Sequence, residues 1–537
     1  LPRLLIVALI ALPLLLSSPI ASQPFSACGV VDAIDYPLDV SDAFSQGYDD
    51  FGVYRPRFGG NHVGVDIGFE RWGEPIRAAA RGRVTLANLE EWDTEKGVVI
   101  LEHTFPDGSI AYSLYGHVDQ GEAGMLPVEG ACVERGDVIA LEGWPSRGKP
   151  HLHYEIRSML PGEGGPGYID GNPLEAGWYH PFEFTELWRA RLQPGFVSAQ
   201  SFTSTPTLPP ALLDDGSAVL ALGDQLVSTL DGVERWRISL GDIATGQLGL
   251  SEGRVTALAR GGQAFTLQNG RFLGAWPVDA LEISPVAVAS AAGEALVFVT
   301  DGGGLTAFTP AGTPLWTVPA LEGESTAGRV LSLQSNGAEI GLVVRSDDGP
   351  LLRLIRDGAL LADVPVRDPA LLTPMAGGGW LLVDGPQIDK LIGGQRLPFV
   401  TLDEAPGRGS QISLDPAGGV LVLSAGSSPT LTFFDAAGAP RWTIETPRAR
   451  TGLSPLLAVG GGCLVYTLDA DGALRAYHAA DGELAAERDL YAGGNQSGNP
   501  RARLLVASPG DQLTVGAGFL SVARFDGLQL GETACSG

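Results

Sequence analysis

Hydrophobic and polar residues alternate over short runs along most of this chain. "PHLHYEIR" (150–157), "EALVFVT" (294–300) and "GGVLVLSA" (418–425) are examples. A period of two sends successive side chains to opposite faces, so each run predicts a half-buried strand. One stretch, "PFEFTELWRARL" (181–192), predicts a short helix instead. The 74 Gly and 38 Pro follow no collagen period, and they favour many turns between short strands. The expected fold class is all-β.

The second half of the chain repeats. "LVSTLDGVERW" ends at Trp236, "FTLQNGRFLGAW" at Trp276, "LTAFTPAGTPLW" at Trp316 and "LTFFDAAGAPRW" at Trp442. Weaker copies lie at 352–363, 388–399, 474–487 and 520–532. Each unit is a strand, a Gly-containing turn and a strand, with an alternating strand upstream. Four short strands at a period of about 40 residues predict a β-propeller. Eight blades from about residue 211 are expected, with seven as the near alternative. The units resemble those of pyrroloquinoline-quinone-type propellers, although no calcium or quinone site accompanies them. The Trp residues are expected to pack blade against blade.

Six of the seven histidines lie between 23 and 200, and only His478 lies beyond. This shift divides the chain into a first domain, 23–200, a Thr/Pro-rich linker, 201–210, and the propeller, 211–537. Residues 1–22 read as a secretory signal, with Arg3 before the apolar run Leu4 to Leu16 and cleavage after Ala21 or Ser22. The expected location is therefore secreted, in the cell envelope, with a membrane partner only if the signal stays uncleaved. Cys28, Cys132, Cys463 and Cys535 form an even set, for which outside the cytoplasm the pairings Cys28–Cys132 and Cys463–Cys535 are favoured. The net charge of −27 repels phosphate backbones and excludes nucleic acid as an expected partner.

The chemistry concentrates in the first domain. In "PHLHYEIR" a strand points His151 and His153 to the same side. In "NHVGVDIGF" (61–69), read as one β-like run, His62, Gly64 and Asp66 share a face, with Gly64 leaving room between the other two. Two short strands thus bring three metal ligands to one point. Two His, one Asp and a water make a four-coordinate Zn2+ site with one open position, as in catalytic zinc. His117, in "AYSLYGHV", and His151 suit the proton-transfer and oxyanion tasks.

The order HxxxD, H, HxH resembles the lysostaphin/LytM-type zinc metallopeptidases, which cleave peptides of bacterial cell-wall peptidoglycan. "GEPIRAAARGRVTLA" (73–87), "GVVILEHTFPDGSIAYSLYGHV" (97–118) and "VERGDVIALEGWPSRGKPHLHYEIR" (133–157) follow the family's pattern. The resemblance implies an antiparallel sheet with an open groove. It implies His62, Asp66 and His153 as zinc ligands, and His117 and His151 as the catalytic pair, in either order. Trp92 and Trp144 are candidate groove walls. His103 reads as structural, His180 as packing or surface, and Glu155 as orienting or structural. The function implied is a secreted zinc endopeptidase of peptidoglycan, with the propeller as a binding platform for a protein or glycan. The alternatives are a non-catalytic regulator of wall hydrolases and a zinc peptidase acting on proteins. Latency is left open by the sequence: a propeller loop or residues 23–60 would cover the groove, and an Asn or Asp of that stretch, with Asn61 nearest to His62, would add a blocking ligand.

Overall fold

The computed structural model describes residues 28–38 and 50–531, apart from 91–96, 121–125, 146–147, 161–164, 203–205, 252, 282–284, 322–329, 347, 369, 376, 408, 426–427, 448–452, 454, 462, 471, 491–502, 509 and 517–519. The signal segment, Trp92 and Cys535 lie outside the described residues. No helix among the described residues is long and apolar enough to cross a membrane.

The first domain is built on twelve short strands: β1 (Tyr54–Arg55), β2 (Gly60–His62), β3 (Val65–Ile67), β4 (Pro75–Arg77), β5 (Gly82–Asn88), β6 (Gly97–Thr104), β7 (Ile110–Asp119), β8 (Cys132–Val133), β9 (Val138–Glu142), β10 (Leu152–Arg157), β11 (Tyr168–Ile169) and β12 (Trp178–Tyr179). Nine of them form one sheet with the path β12-β10-β7-β6-β5-β8, to which β3, β4 and β9 attach. β1, β2 and β11 form a separate three-stranded sheet. The "PDG" turn between β6 and β7 closes with Gly108 at φ 83°, a conformation that glycine adopts without a Cβ clash.

β10 organises this domain. It pairs with β3, β7 and β12, and all six of its residues are buried. Leu152, Tyr154 and Ile156 enter a core with Val65, Ile67, Val99, Leu101 and Tyr115. The other face carries His153, Glu155 and Arg157, which are covered as well. The alternation predicted a strand with one wet face; here both faces are covered, and the polar row is a buried one. The segment 28–38 joins the core through Val31, Ile34, Tyr36 and Leu38 and is tied to β8 by the Cys28–Cys132 disulfide. Of the stretch 23–60, the described residues 28–38 belong to the core and 50–60 build β1 and the approach to β2. Cys463 is disulfide-bonded as well.

Helix α1 (Pro181–Arg191) falls where the sequence placed it. His180 caps it by accepting from the Glu183 amide at 3.3 Å, and Pro181 suits the first turn. Phe182 and Trp188 pack in the first core, whereas Ala190 packs in the propeller's. The helix therefore joins the two domains with side chains in both.

Eight four-stranded antiparallel sheets follow among the described residues. Seven are consecutive, at 211–239, 244–277, 286–318, 330–365, 370–401, 411–445 and 456–489. The eighth combines the strands of 504–526 with β13 (Phe196–Gln200), which pairs antiparallel with Val522–Asp526. This corrects the boundary drawn at 211, because 196–200 belong to the closing blade. The tryptophans lock neighbouring blades. Trp236, Trp276, Trp316 and Trp442 lie over turn glycines of the next blade, Gly270, Gly312, Gly358 and Gly482. Each of these glycines has positive φ, and an added Cβ would fall within 3 Å of the ring or its Cβ.

Candidate metal centre

The site forms where β2, β3, β7 and β10 meet. The expected single run over 62–66 is instead two strands broken at Val63–Gly64. β2 belongs to the small sheet and β3 pairs with β10, with Asp66 opposite His153. A Cβ at Gly64 would meet the Tyr154 carbonyl oxygen at 2.6 Å and His153 Nε2 at 2.9 Å, so glycine permits the close approach.

His62, Asp66 and His153 converge. His62 Nε2 lies 2.9 Å from His153 Nδ1 and 3.4 Å from Asp66 Oδ1, and His153 Nδ1 lies 3.1 Å from Asp66 Oδ1. Ligands about 2.05 Å from a tetrahedral zinc stand about 3.3 Å apart, which is the scale of this triangle. The outer nitrogens face carboxylates. His153 Nε2 lies 2.8 Å from Glu155 Oε1, and Glu155 Oε2 in turn accepts from Trp178 Nε1 at 2.9 Å and from the Arg157 guanidinium at 3.3 Å. His62 Nδ1 lies 3.0 Å from Asp50 Oδ2, at ion-pair distance though short of hydrogen-bond alignment. Asp50 also takes Arg55 at 2.7 Å and the Asp66 amide at 3.2 Å. With protons on the outer nitrogens, both inner nitrogens turn lone pairs toward each other and toward a carboxylate. A proton shared among these atoms or a metal cation reconciles that arrangement, and carboxylate-backed histidines are the usual support of a metal cation. The residues fit zinc.

Electrostatics agree. Burial alone would lower the His62 pKa, but Asp50 and Asp66 outweigh it and push it up to about 10. His153 is raised too, against burial, by Asp66 and Glu155. The Asp66 carboxyl is held well below the usual range, again against burial, by hydrogen bonds from His153 and His62. At neutral pH the metal-free cluster therefore holds protons that a cation must displace. Zinc uptake is expected to release about one to two protons, and affinity is expected to fall as pH falls. Calorimetry in two buffers of different ionisation enthalpy reads the proton count; no release would contradict the assignment.

His117 and His151 stand beside the triangle. His151 Nδ1 lies 2.8 Å from the Lys149 carbonyl oxygen, which fixes the proton on Nδ1 and leaves the Nε2 lone pair 3.6 Å from Asp66 Oδ1. Its ring stacks on Phe69 at 5.1 Å. His117 lies 4.7 Å from His151, ring to ring. It is the extra residue of a β-bulge: Gly116 and Val118 pair with the adjacent residues Val98 and Gly97. Its φ is 60°, rare for a side chain with a Cβ, and bulges of this kind re-aim a side chain out of the pleat. The bulge is held by the Gly143 amide, which donates to the His117 carbonyl at 2.9 Å. A Cβ at Gly143 would intrude on that carbonyl group and come within 3.1 Å of the Val118 carbonyl carbon. Gly143→Ala is expected to displace His117 and to leave zinc content unchanged; the imidazole NMR signals of His117 and metal analysis check this.

Two aromatic pairs belong to the elements that carry the centre. Tyr168 stacks on His62 at 5.0 Å and Phe58 stacks on Tyr168 at 4.4 Å. Trp72 and Trp144 meet at 6.0 Å; Trp72 lies three residues after Phe69, which stacks on His151, and Trp144 follows Gly143, which holds the His117 carbonyl. Trp144, expected as a groove wall, meets Trp72, which was not anticipated. Asn61 donates its side-chain amide to the Gly171 carbonyl at 2.6 Å and, as the residue before His62 on β2, faces the opposite side of the strand. The segment before it contributes Asp50 instead. His103 is buried, bonded to the Arg81 carbonyl and the Ser113 hydroxyl, and burial pushes its pKa down to about 4.

Comparison with known proteins gives two family matches. Residues 60–166 match the model of peptidase family M23, and residues 185–363 match that of the outer membrane protein assembly factor BamB. A search of curated proteins returns no match. Among solved structures, BamB from Moraxella catarrhalis is similar at 12% identity and TM-score 0.44, covering 61% of this chain and 96% of its own. The computationally designed protein Ika8 gives 14% and 0.45, covering 62% and 99%. A quinohemoprotein alcohol dehydrogenase from Pseudomonas putida HK5 gives 13% and 0.44, covering 64% and 77%.

Proposed function

We propose that the chain is an exported zinc endopeptidase that hydrolyses peptide bonds of bacterial cell-wall peptidoglycan. The observation that carries this reading is the convergence of His62 Nε2, Asp66 Oδ1 and His153 Nδ1, each imidazole backed by a buried carboxylate. The match to peptidase family M23 supports a peptidase over the same residues. Export is supported by the Cys28–Cys132 disulfide, a bond that persists outside the reducing cytoplasm.

His62, Asp66 and His153 would hold the zinc. Zinc in such a site supplies a water of pKa near 7 and Lewis acidity toward a carbonyl oxygen. The chain's own groups do the rest. His151, its proton parked on Nδ1 against Lys149, offers Nε2 as the base that takes a proton from water and returns it to the leaving amine. His117, aimed by its bulge, donates a hydrogen bond to the charge that develops on the carbonyl oxygen. The substrate peptide lies along the wall formed by Phe58 and Tyr168 beside His62. The propeller serves as a docking platform for a protein or glycan of the envelope.

The test incubates the full chain with purified peptidoglycan, with and without a chelator, and reads released fragments by mass. New amine ends that vanish with chelator support the proposal. Zinc uptake without any released fragment would refute it.

A further inference from the structure

We propose that Trp72 and Trp144 form a sugar-binding platform at the rim of the metal centre, so that the preferred substrate is a peptide still joined to its glycan. This rests on the wall-endopeptidase reading. Trp72 is 62% exposed and Trp144 51% exposed. Every other tryptophan among the described residues is buried or half-buried. Two large apolar rings left in water side by side forgo the burial that drives folding, and such a patch marks a surface that a ligand covers.

The platform is fixed relative to the reactive histidines. Trp72 sits in the loop 68–74, whose ends are pinned by Gly73 donating to the Glu142 carbonyl and Glu70 donating to the Pro150 carbonyl, both at 2.9 Å. Phe69, in the same loop, stacks on His151. Trp144 follows Gly143, whose amide holds the His117 carbonyl, and its own Nε1 donates to the Gly148 carbonyl at 3.2 Å. The indole faces are thereby left as the recognition surface.

The chemistry around them favours a neutral ligand. The cations beside them along the chain are paired, Lys149 with Glu70 and Arg71 with Glu74. Wall peptides carry side chains that are mostly small or charged, and none of these matches two bare aromatic faces. A sugar ring does, through the apolar C–H face opposite its hydroxyls. A glycan seated there lies next to His117 and His151 and delivers its attached peptide to them.

The experiment uses the full chain, Trp72→Ala/Trp144→Ala, and Trp72→Phe and Trp144→Phe, which keep an aromatic face. Two substrates share one scissile bond, one glycan-linked and one glycan-free. The double alanine variant is expected to lose about 10- to 100-fold in kcat/KM on the glycan-linked substrate, mainly through KM, and to match the wild type on the other. The Phe variants should keep most of the preference. Calorimetric titration with peptide-free glycan oligosaccharides should give heat with the wild type and none with the double variant. Equal losses on both substrates would assign the rings to the peptide and overturn the proposal, as would absent or variant-insensitive oligosaccharide binding. If the wild type binds oligosaccharide but cleaves neither substrate, the endopeptidase reading fails and the platform stands.

Discussion

His151→Ala is expected to lower kcat on peptidoglycan by about 100- to 10,000-fold and to leave bound zinc unchanged. The expectation follows from where the ring sits. Its Nδ1 is committed to the Lys149 carbonyl, so the neutral tautomer with a free Nε2 is the one held ready. Stacking on Phe69 sets the ring plane. Nε2 lies 3.6 Å from Asp66 Oδ1, outside the tight triangle of His62, Asp66 and His153. The alanine variant therefore removes a proton carrier and no donor of the triangle. Single-turnover cleavage and metal analysis of the same sample read the two effects separately. A variant that loses zinc would move His151 into the ligand set, and an undiminished kcat would move the base to His117.

Cys28→Ser/Cys132→Ser is expected to destabilise the first domain by about 2–5 kcal/mol. The bridge closes a loop of 104 residues, so its removal frees a long stretch of the unfolded chain. The folded side of the balance matters as well. Val31, Ile34, Tyr36 and Leu38 pack against the core of β10, and Tyr36 donates from its hydroxyl to Glu186 of α1 at 2.6 Å. Arg189 of the same helix pairs with Asp35. Without the bridge, that packing alone holds the segment. The urea midpoint of the first domain's transition, compared with the wild type, measures the cost. An unchanged midpoint would show that packing suffices and that the disulfide serves another end.

What the sequence disclosed and what it hid divide along the range of the interactions. The blades were legible because each repeats a local device, a strand pair around a Gly turn with a Trp that covers the next blade's turn. The closing of the ring was not. β13 and Val522–Asp526 are more than 300 residues apart, and no local pattern announces a pairing between them. The helix was legible from its composition, yet its cap, His180, was read as a packing or surface residue. In the metal centre, the alternation around HLH gave the correct grouping of His151 and His153. The run around His62 misled, because alternation continues through Gly64 while the backbone breaks there to let β3 reach β10. His117 was placed by its motif, but its bulge arises from register against β6 and leaves no mark in the sequence. Asp50 was invisible for a similar reason: it is one acid among several in its stretch, singled out only by the fold. Trp72 was missed because its partner Trp144 is remote in sequence.

The central claim is that three side chains hold one catalytic cation while two others act beside it. Native mass spectrometry of the full chain tests this most directly. One zinc per chain is expected in the wild type, in His117→Ala and in His151→Ala, and none in His62→Ala, Asp66→Ala or His153→Ala. Zinc retained in full after loss of His153, or lost with His117 or His151, would contradict the account.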